Sequence, residues 1–312
     1  MKKVIFDTDI GIDDAMALLF LHYSPSVKLQ AIITGFGNAS IENTTRNALY
    51  MKEYFAIGAS VYRGAACPLG QDTVDEYPDF VHGDNGLGDI EIPVPVGKVE
   101  DESGAEAIVT LARKFPQQLS IVAVGRMTNL AQALELCPEL PELVLEVVVM
   151  GGAFGFNGHT GNVTPVAEAN IWGDPLAAGI VFDSGLPITI VGLDVTQETI
   201  ANARFFDDLR QSAGKAGEFI YRTSRHYLDF HERTEGKYEC PVHDSSAVAY
   251  LLEPESFTTQ EGSIRVVVEG SDTGQTLFSA TTDTNQNCRI CTAVNTESVL
   301  RLYASTLGLA GN

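Results

Sequence analysis

The sequence has few basic residues and no long apolar runs. It contains 20 Lys and Arg against 41 Asp and Glu, for a formal net charge of −21. Nucleic acid polymers and anionic membrane surfaces are themselves negative, so this charge argues against both as partners. No stretch approaches the roughly 18 uninterrupted apolar residues of a transmembrane helix, and none is expected. A neutral small molecule or a hard divalent cation remains compatible with so acidic a chain.

Cysteine is also scarce and irregularly spaced. The five cysteines are Cys67, Cys137, Cys240, Cys288 and Cys291. The last two have CxxC spacing, but no second pair completes a zinc site, so we expect reduced thiols and a cytoplasmic protein. Near the start, Asp7 interrupts the apolar run that a secretory signal would need, and we expect no ordinary signal peptide.

Strand and helix patterns alternate along most of the chain. The predicted strands are residues 3–6, 27–34, 60–63, 119–124, 145–150 and 188–191, and the predicted helices are a segment from residue 13 and residues 42–55, 104–114, 129–136 and 175–183. This alternation predicts an α/β fold with an open, mainly parallel, Rossmann-like sheet covered by helices on both faces. Residues 258–282, rich in Gly and β-branched residues, predict a late antiparallel addition.

The chain shows no internal repeat, low-complexity tract or Pro/Ser-rich linker. We therefore expect a single domain over residues 1–312, which a chain of this length can support. Residues 203–239 are mostly helical in pattern and more polar, which predicts a lid-like region over a site.

Four carboxylates within eight residues form the strongest signal: Asp7, Asp9, Asp13 and Asp14. The first predicted strand delivers Asp7 and Asp9 to the carboxyl end of the sheet, on one side because strands have period two. Gly11 permits a tight turn, and one of the two following acids would cap the next helix. So many negative charges in one turn are costly unless a cation lies among them. Oxygen ligation without His or Cys suits Ca²⁺ or Mg²⁺.

Two other classes of protein carry acids in comparable patterns. An EF-hand is excluded, because counting from Asp7 puts Ile12 where that loop needs Gly and Leu18 where it needs Glu. A phosphatase of the haloacid dehalogenase type also has Asp-x-Asp after its first strand. In this chain Gly11 stands where Thr or Val is expected, and that family does not explain the acids at 13–14. It stays an alternative enzyme.

Residues 7–15 resemble the N-terminal fingerprint of the inosine-uridine nucleoside hydrolases, Asp-x-Asp-Pro-Gly-x-Asp-Asp-Ala, with Ile10 in place of Pro. The turn at 124–129 is similar to the family's Gly-Pro-Leu-Thr-Asn, with Arg126 in place of Pro. Further segments similar to family motifs are 35–38, 82–88, 150–152, 161–164, 167–170 and 243–244. One short motif would be weak evidence, but these follow in order over nearly the whole chain.

The resemblance implies Ca²⁺-dependent hydrolysis of the N-glycosidic bond of purine and/or pyrimidine ribonucleosides. The implied metal ligands are Asp9, Asp14, the backbone carbonyl of Val124 and Asp244, with water and the ribose 2′- and 3′-hydroxyls completing the shell. Asp9 is also implied as the general base that activates water, and His243 as the acid that protonates the leaving base. The implied substrate-binding residues are Asp13, Asn38, His82, Met150, Asn162, Glu168 and Asn170.

Some features leave detail open. Ala169 stands where relatives often carry Phe, which implies a wider pocket. Tyr221, Tyr227 and Phe230 in the lid-like region could stack on a nucleobase or belong to the core. His226 and His231, too far apart for zinc spacing, are interpreted as a solvated or lid face. The family implies a homo-oligomer, a dimer or tetramer. A non-catalytic Ca²⁺-dependent ribose-binding protein is the alternative outside enzymes.

Overall fold

A computed structural model describes residues 1–74, 76–281 and 287–311. Its strands are β1 Lys2–Thr8, β2 Val27–Thr34, β3 Ser60–Arg63, β4 Leu119–Ala123, β5 Glu146–Met150, β6 Pro187–Val191, β7 Ile200–Asn202, β8 Glu239–Pro241, β9 Phe257–Val266, β10 Thr276–Ser279 and β11 Asn287–Val294. Its α-helices are α1 Ile12–Tyr23, α2 Ile41–Phe55, α3 Asp79–His82, α4 Gly104–Lys114, α5 Thr128–Leu136, α6 Leu140–Leu143, α7 Ala169–Gly173, α8 Pro175–Asp183, α9 Leu193–Thr196, α10 Ala203–Ser212, α11 Gly214–Glu235, α12 His243–Leu252 and α13 Thr296–Gly308. Short 3₁₀ helices span Phe156–Gly158, Pro254–Ser256 and Leu309–Gly311.

The described strands form a nine-stranded sheet in the order β10-β9-β11-β6-β5-β4-β1-β2-β3. From β3 to β11 every neighbouring pair is parallel, whereas β9 is antiparallel to both β11 and β10. Strands β7 and β8 form a separate antiparallel pair. The predicted mainly parallel sheet with a late antiparallel addition is therefore confirmed.

The sheet separates two hydrophobic cores. Along β1, Val4 and Phe6 belong to one core and Ile5 to the other, as the period-two alternation of a strand requires. Helices α1, α2, α11, α12 and α13 pack on the first face, and α4, α5 and α8 on the second. Because both faces are covered, the strand side chains are apolar on both sides, which is typical of parallel sheets.

The local patterns located most elements. The predicted bounds agree with the structure for β2, β3, α4 and α8, and differ by a few residues for the other predicted elements. Strand β11 was not predicted, although it lies between β6 and β9 and joins the antiparallel addition to the parallel sheet. The predicted addition ended at residue 282, which lies outside the described residues. No helix in the described ranges is both long and apolar enough to cross a membrane.

The region predicted to be mostly helical contains α10 and α11. Within α11, Tyr227 and His231 are buried, while His226 is partly exposed. The two histidines were interpreted as a solvated or lid face, and the solvated alternative is wrong for His231. Its ring packs edge-on against Tyr227 with centroids 4.9 Å apart, so the i, i+4 spacing on this helix serves packing.

Candidate active site

The turn between β1 and α1 is built around the carboxylate of Asp14. Gly11 is the N-cap residue of α1, and its amide N–H donates to Asp14 Oδ2 over 2.9 Å. The Thr8 hydroxyl and the Asp9 amide donate to Asp14 Oδ1, and Asn38 Nδ2 donates to Oδ2 over 2.7 Å. The acidic helix start predicted from sequence is thus a network that joins β1, α1 and the loop after β2.

The carboxylate of Asp9 lies between two glycines that follow β2 and β4, the strands on either side of β1. A Cβ on Gly37 would lie 1.7 Å from Asp9 Oδ2, and one on Gly125 would lie 2.7 Å from Oδ1. The amide of Asn38 donates to Oδ2 over 2.8 Å, whereas Oδ1 is buried without a hydrogen-bond partner. The chain therefore leaves space for this acid and satisfies only one of its oxygens.

Asp13, Asp14 and Asp244 bring one carboxylate oxygen each within 4.8 Å of one another. Asp244 lies in the first turn of α12, so residues far apart in sequence converge here. All three are buried, and Asp13 Oδ1 has no hydrogen-bond partner. Three buried carboxylates at this spacing, one of them with an unpartnered oxygen, fit a hard divalent cation, because oxygen ligands suit such ions. The acidic cluster can bind a metal.

Burial and mutual repulsion disfavour the charged form of these acids. Burial raises the pKa of Asp13 to about 8, with the charge of Asp14 as the next cause. Burial also raises the pKa of Asp9, with the charge of Asp14 adding to the shift and that of Arg126 opposing it. For Asp244, burial and then the charges of Asp13, Asp14 and Asp9 raise the pKa well above its usual range. A bound cation would act in the opposite direction.

Asn170, near the start of α7, contacts the end of β5 and the residue that follows β4. Asn170 Nδ2 donates to the carbonyl of Val124 over 2.7 Å and to that of Met150 over 3.2 Å. Its amide nitrogen also lies 3.5 Å from Met150 Sδ. The carbonyl predicted as a metal ligand is thus adjacent to two of the predicted substrate-binding residues.

Glu168 and Asn162 hold the loop before α7 through backbone amides. Glu168 is buried and caps α7, accepting from the amides of Asn170, Ile171 and Gly152. Burial raises its pKa, against the effect of these three amides. Asn162 is exposed and accepts from the amide of Ala169 over 3.0 Å. The carboxylate of Glu168 therefore organises the loop as well as lying beside the acids.

His243 is buried at the start of α12, next to Asp244. Its Nδ1 lies 2.8 Å from the hydroxyl of Thr196, which ends α9. Burial lowers the pKa of His243 to about 3, helped by the charges of His231 and His159, so the ring is neutral near pH 7. When Thr196 donates to Nδ1, the proton of the neutral ring resides on Nε2.

His82 ends the short helix α3 and is buried. Its Nδ1 accepts from the amide of Ile12 over 3.2 Å, at the first turn of α1, and lies 3.9 Å from Asp13 Oδ1. Its ring stacks on Tyr227 of α11, with centroids 6.0 Å apart. Burial lowers its pKa to about 3, ahead of repulsion from His226, His243 and Arg126. Helices α3 and α11 therefore meet the acidic cluster through this ring.

Comparison with known proteins gives a consistent result. Residues 4–301 match the sequence profile of the inosine-uridine preferring nucleoside hydrolases. The chain belongs to this family. It is 40% identical over 279 residues to probable uridine nucleosidase 1 of Oryza sativa subsp. japonica, covering 88% of this chain and 84% of that protein. It is 34% identical to the inosine-uridine preferring nucleoside hydrolase of Leishmania major, covering 94% and 92%.

A solved structure agrees with the sequence relatives. The purine-preferring ribonucleoside hydrolase from Gardnerella vaginalis superimposes with a TM-score of 0.94 at 34% identity, covering 99% of both chains. The predicted family and reaction class are therefore confirmed, and the enzyme is a nucleoside hydrolase rather than a phosphatase or a non-catalytic binding protein. The names of these relatives differ in the nucleobase that they state.

Asp7 is grouped with the acidic cluster by sequence, whereas in the structure its carboxylate is hydrogen-bonded to Asn129. Asn129 Nδ2 donates to Asp7 Oδ1 over 2.8 Å, and Asn129 Oδ1 accepts from the amide of Ala65. Burial raises the pKa of Asp7 to about 7 against this bond. The roles of Asn129 and Thr196 in the enzyme were not predicted, although Asn129 closes a motif that was recognised. Nothing in the local sequence distinguishes Thr196.

Proposed function

We propose that the enzyme hydrolyses purine and/or pyrimidine ribonucleosides, with Asp9 as the general base. The observation that carries this proposal is the carboxylate of Asp9, which has one oxygen fixed by an amide and the other buried without a partner. A carboxylate held in this way can accept a proton from a water aimed at C1′ of the sugar. Cleavage of the N-glycosidic bond then yields free base and ribose.

The metal would be Ca²⁺, held by Asp9, Asp14, Asp244 and the carbonyl of Val124. When bound, this cation would neutralise the acids and orient water and the sugar diol. Asp13, Asn38, Met150, Asn162, Glu168 and Asn170 would bind and orient the ribose. The buried carboxylates would stabilise positive charge that develops on the sugar in the transition state.

His243 would donate a proton from Nε2 to the departing nucleobase. The hydroxyl of Thr196 at Nδ1 supports this assignment, because it holds the ring orientation and can donate to Nδ1, which leaves the ring proton on Nε2. His82, which bonds the start of α1, would contact the substrate from the side of α3. Its stacking on Tyr227 supports a base-binding region between α3 and α11.

Asp9→Asn tests the catalytic proposal, because the amide keeps the shape but cannot act as a base. We expect base release from inosine and uridine to fall by at least about 10³-fold. Release is measured by a reducing-sugar assay with Ca²⁺ and with a chelator, beside thermal unfolding of the same sample. Activity of the folded variant within tenfold of wild type would refute the role of Asp9. Full activity in chelator would refute the metal.

The larger organisation is proposed as well. The chain would form a single domain, with α10 and α11 as a lid-like region, and it would act in the cytoplasm. It would assemble as a homo-oligomer through the apolar face on which Trp172, Leu176, Ile180 and Val268 are exposed. Residues of this face line a groove of about 530 Å³. Sedimentation of the Ile180→Glu variant beside wild type tests the assembly. If wild type is an oligomer and the variant has the same mass, this face is not the interface.

A further inference from the structure

A buried guanidinium lies beside the acid that we propose as the general base. Arg126 follows β4, and only 11% of its side chain is exposed. Its Nη1 lies 3.6 Å from Asp9 Oδ2, and its guanidinium carbon lies 4.9 Å from the ring centroid of Phe36. In the family motif that residues 124–129 resemble, Pro stands at this position.

The backbone leaves room for this side chain at two glycines. A Cβ on Gly37 would lie 2.2 Å from Arg126 Nη1, and one on Gly173 would lie 1.8 Å from Arg126 Nε. Neither distance is compatible with a real side chain. Arg126 is therefore packed in a defined place between the loop after β2 and the end of α7, with the Phe36 ring beside it.

Arg126 is paired with Asp9 by charge, but its hydrogen bonding is incomplete. Its Nε is buried without a hydrogen-bond partner among the described residues, and its contact with Asp9 is too long for a hydrogen bond. The other acids whose charges act on it are Glu168 and Asp174. A buried cation with incomplete hydrogen bonding costs stability, so stability does not explain Arg126, and its place beside Asp9 points to a task at the site.

We propose that Arg126 is a positioning residue that fixes the Asp9 carboxylate. Together with the amide of Asn38, it acts on Oδ2, so that Oδ1 is the oxygen left for water and cation. This inference rests on the proposed role of Asp9. The same positive charge opposes binding of a cation to the acids, so the enzyme would gain geometry at some expense in metal affinity.

The test compares Arg126→Met with Arg126→Lys in the full-length enzyme. For Arg126→Met we expect kcat on inosine to fall about 30-fold with KM changed less than about threefold, because Oδ2 is held less firmly and the orientation of the reacting Oδ1 is lost. Calorimetric titration of the metal-stripped variant with Ca²⁺ should show a Kd lower by about fivefold, because a nearby positive charge is gone. Arg126→Lys keeps the positive charge, so it should regain part of the lost kcat and bind Ca²⁺ about as weakly as wild type does.

Arg113→Met is the control for loss of one positive charge, since Arg113 pairs with Glu139 at the surface. It should match wild type in kcat and in Ca²⁺ affinity. Thermal unfolding checks each variant, and Arg126→Gln replaces Arg126→Met if the latter does not fold. A kcat within threefold of wild type, or Ca²⁺ binding that is unchanged or weaker, overturns the proposal. If Asp9→Asn keeps its activity, the proposed function fails instead.

Discussion

Adding one methyl group at Gly37 should disable the enzyme without unfolding it. The new Cβ of Gly37→Ala would lie 1.7 Å from Asp9 Oδ2, whereas ordinary contact begins at 3.4 Å, so the oxygen has to move by about 1.7 Å. A misplacement of about 1 Å at a reacting group can cost on the order of 100-fold in rate. We therefore expect kcat for inosine and uridine to fall by about 100-fold or more.

Stability should respond much less than rate. The atoms that must move belong to side chains, Asp9 and Arg126, and Gly37 does not have a left-handed φ that would strain alanine. Loss of conformational freedom in the unfolded chain would offset part of the repulsion, by roughly 0.4–1 kcal/mol. We expect Tm to change by only a few degrees.

Two other glycine substitutions calibrate the result. Gly35→Ala lies in the same loop, but its Cβ would be 3.5 Å from Asn129 Nδ2, an ordinary contact. Gly58→Ala has no atom within 4 Å. The assay is reducing-sugar release at saturating nucleoside, with thermal unfolding on the same preparations. If Gly37→Ala keeps kcat within threefold of wild type, the tight fit around Asp9 does not govern catalysis and the reasoning is wrong.

Two further predictions concern residues around the cluster. Asn129→Ala would leave the Ala65 amide and the buried Asp7 without their hydrogen-bond partner, so chemical denaturation should show a loss of about 2–4 kcal/mol in unfolding free energy. The control Asn43→Ala removes an exposed hydrogen bond and should cost under about 0.5 kcal/mol. Equal losses for the two variants would contradict the argument. His243→Ala should slow hydrolysis of inosine by about 10²-fold in steady-state assays. Hydrolysis of p-nitrophenyl riboside should slow by less than about threefold, because its activated leaving group needs no proton. Equal losses on both substrates would contradict the general-acid role.

The parts of the fold that could be predicted are those with a local physical signature. Short strand patterns located β2 and β3, and helical patterns located α4 and α8, because each signal is complete within one segment. The acidic turn was also visible locally, since its four carboxylates are close in sequence. Burial on both faces then follows from the alternation of strands and helices.

The parts that could not be predicted depend on pairing between distant segments. Strand β11 inserts between β6 and β9, and nothing in its own composition specifies those neighbours. The hydrogen bond between Thr196 and His243 joins two helices through residues 47 positions apart. Likewise, the sequence shows that Arg126 departs from the family, but only the structure shows that its side chain lies beside Asp9. Asp244 was linked to the acids by resemblance alone.

The antiparallel edge of the sheet is hydrogen-bonded to the segments after β5 and before α7. The Thr276 hydroxyl in β10 accepts from the amide of Ala153 and donates to its carbonyl, and Ala167 forms an isolated bridge with Gln275. Strain or a change of length in the segment between β9 and β10 would therefore reach the loop that carries Glu168 and Asn170. We expect that a substitution in this segment can alter substrate preference through the positions of Glu168 and Asn170, although neither residue is replaced.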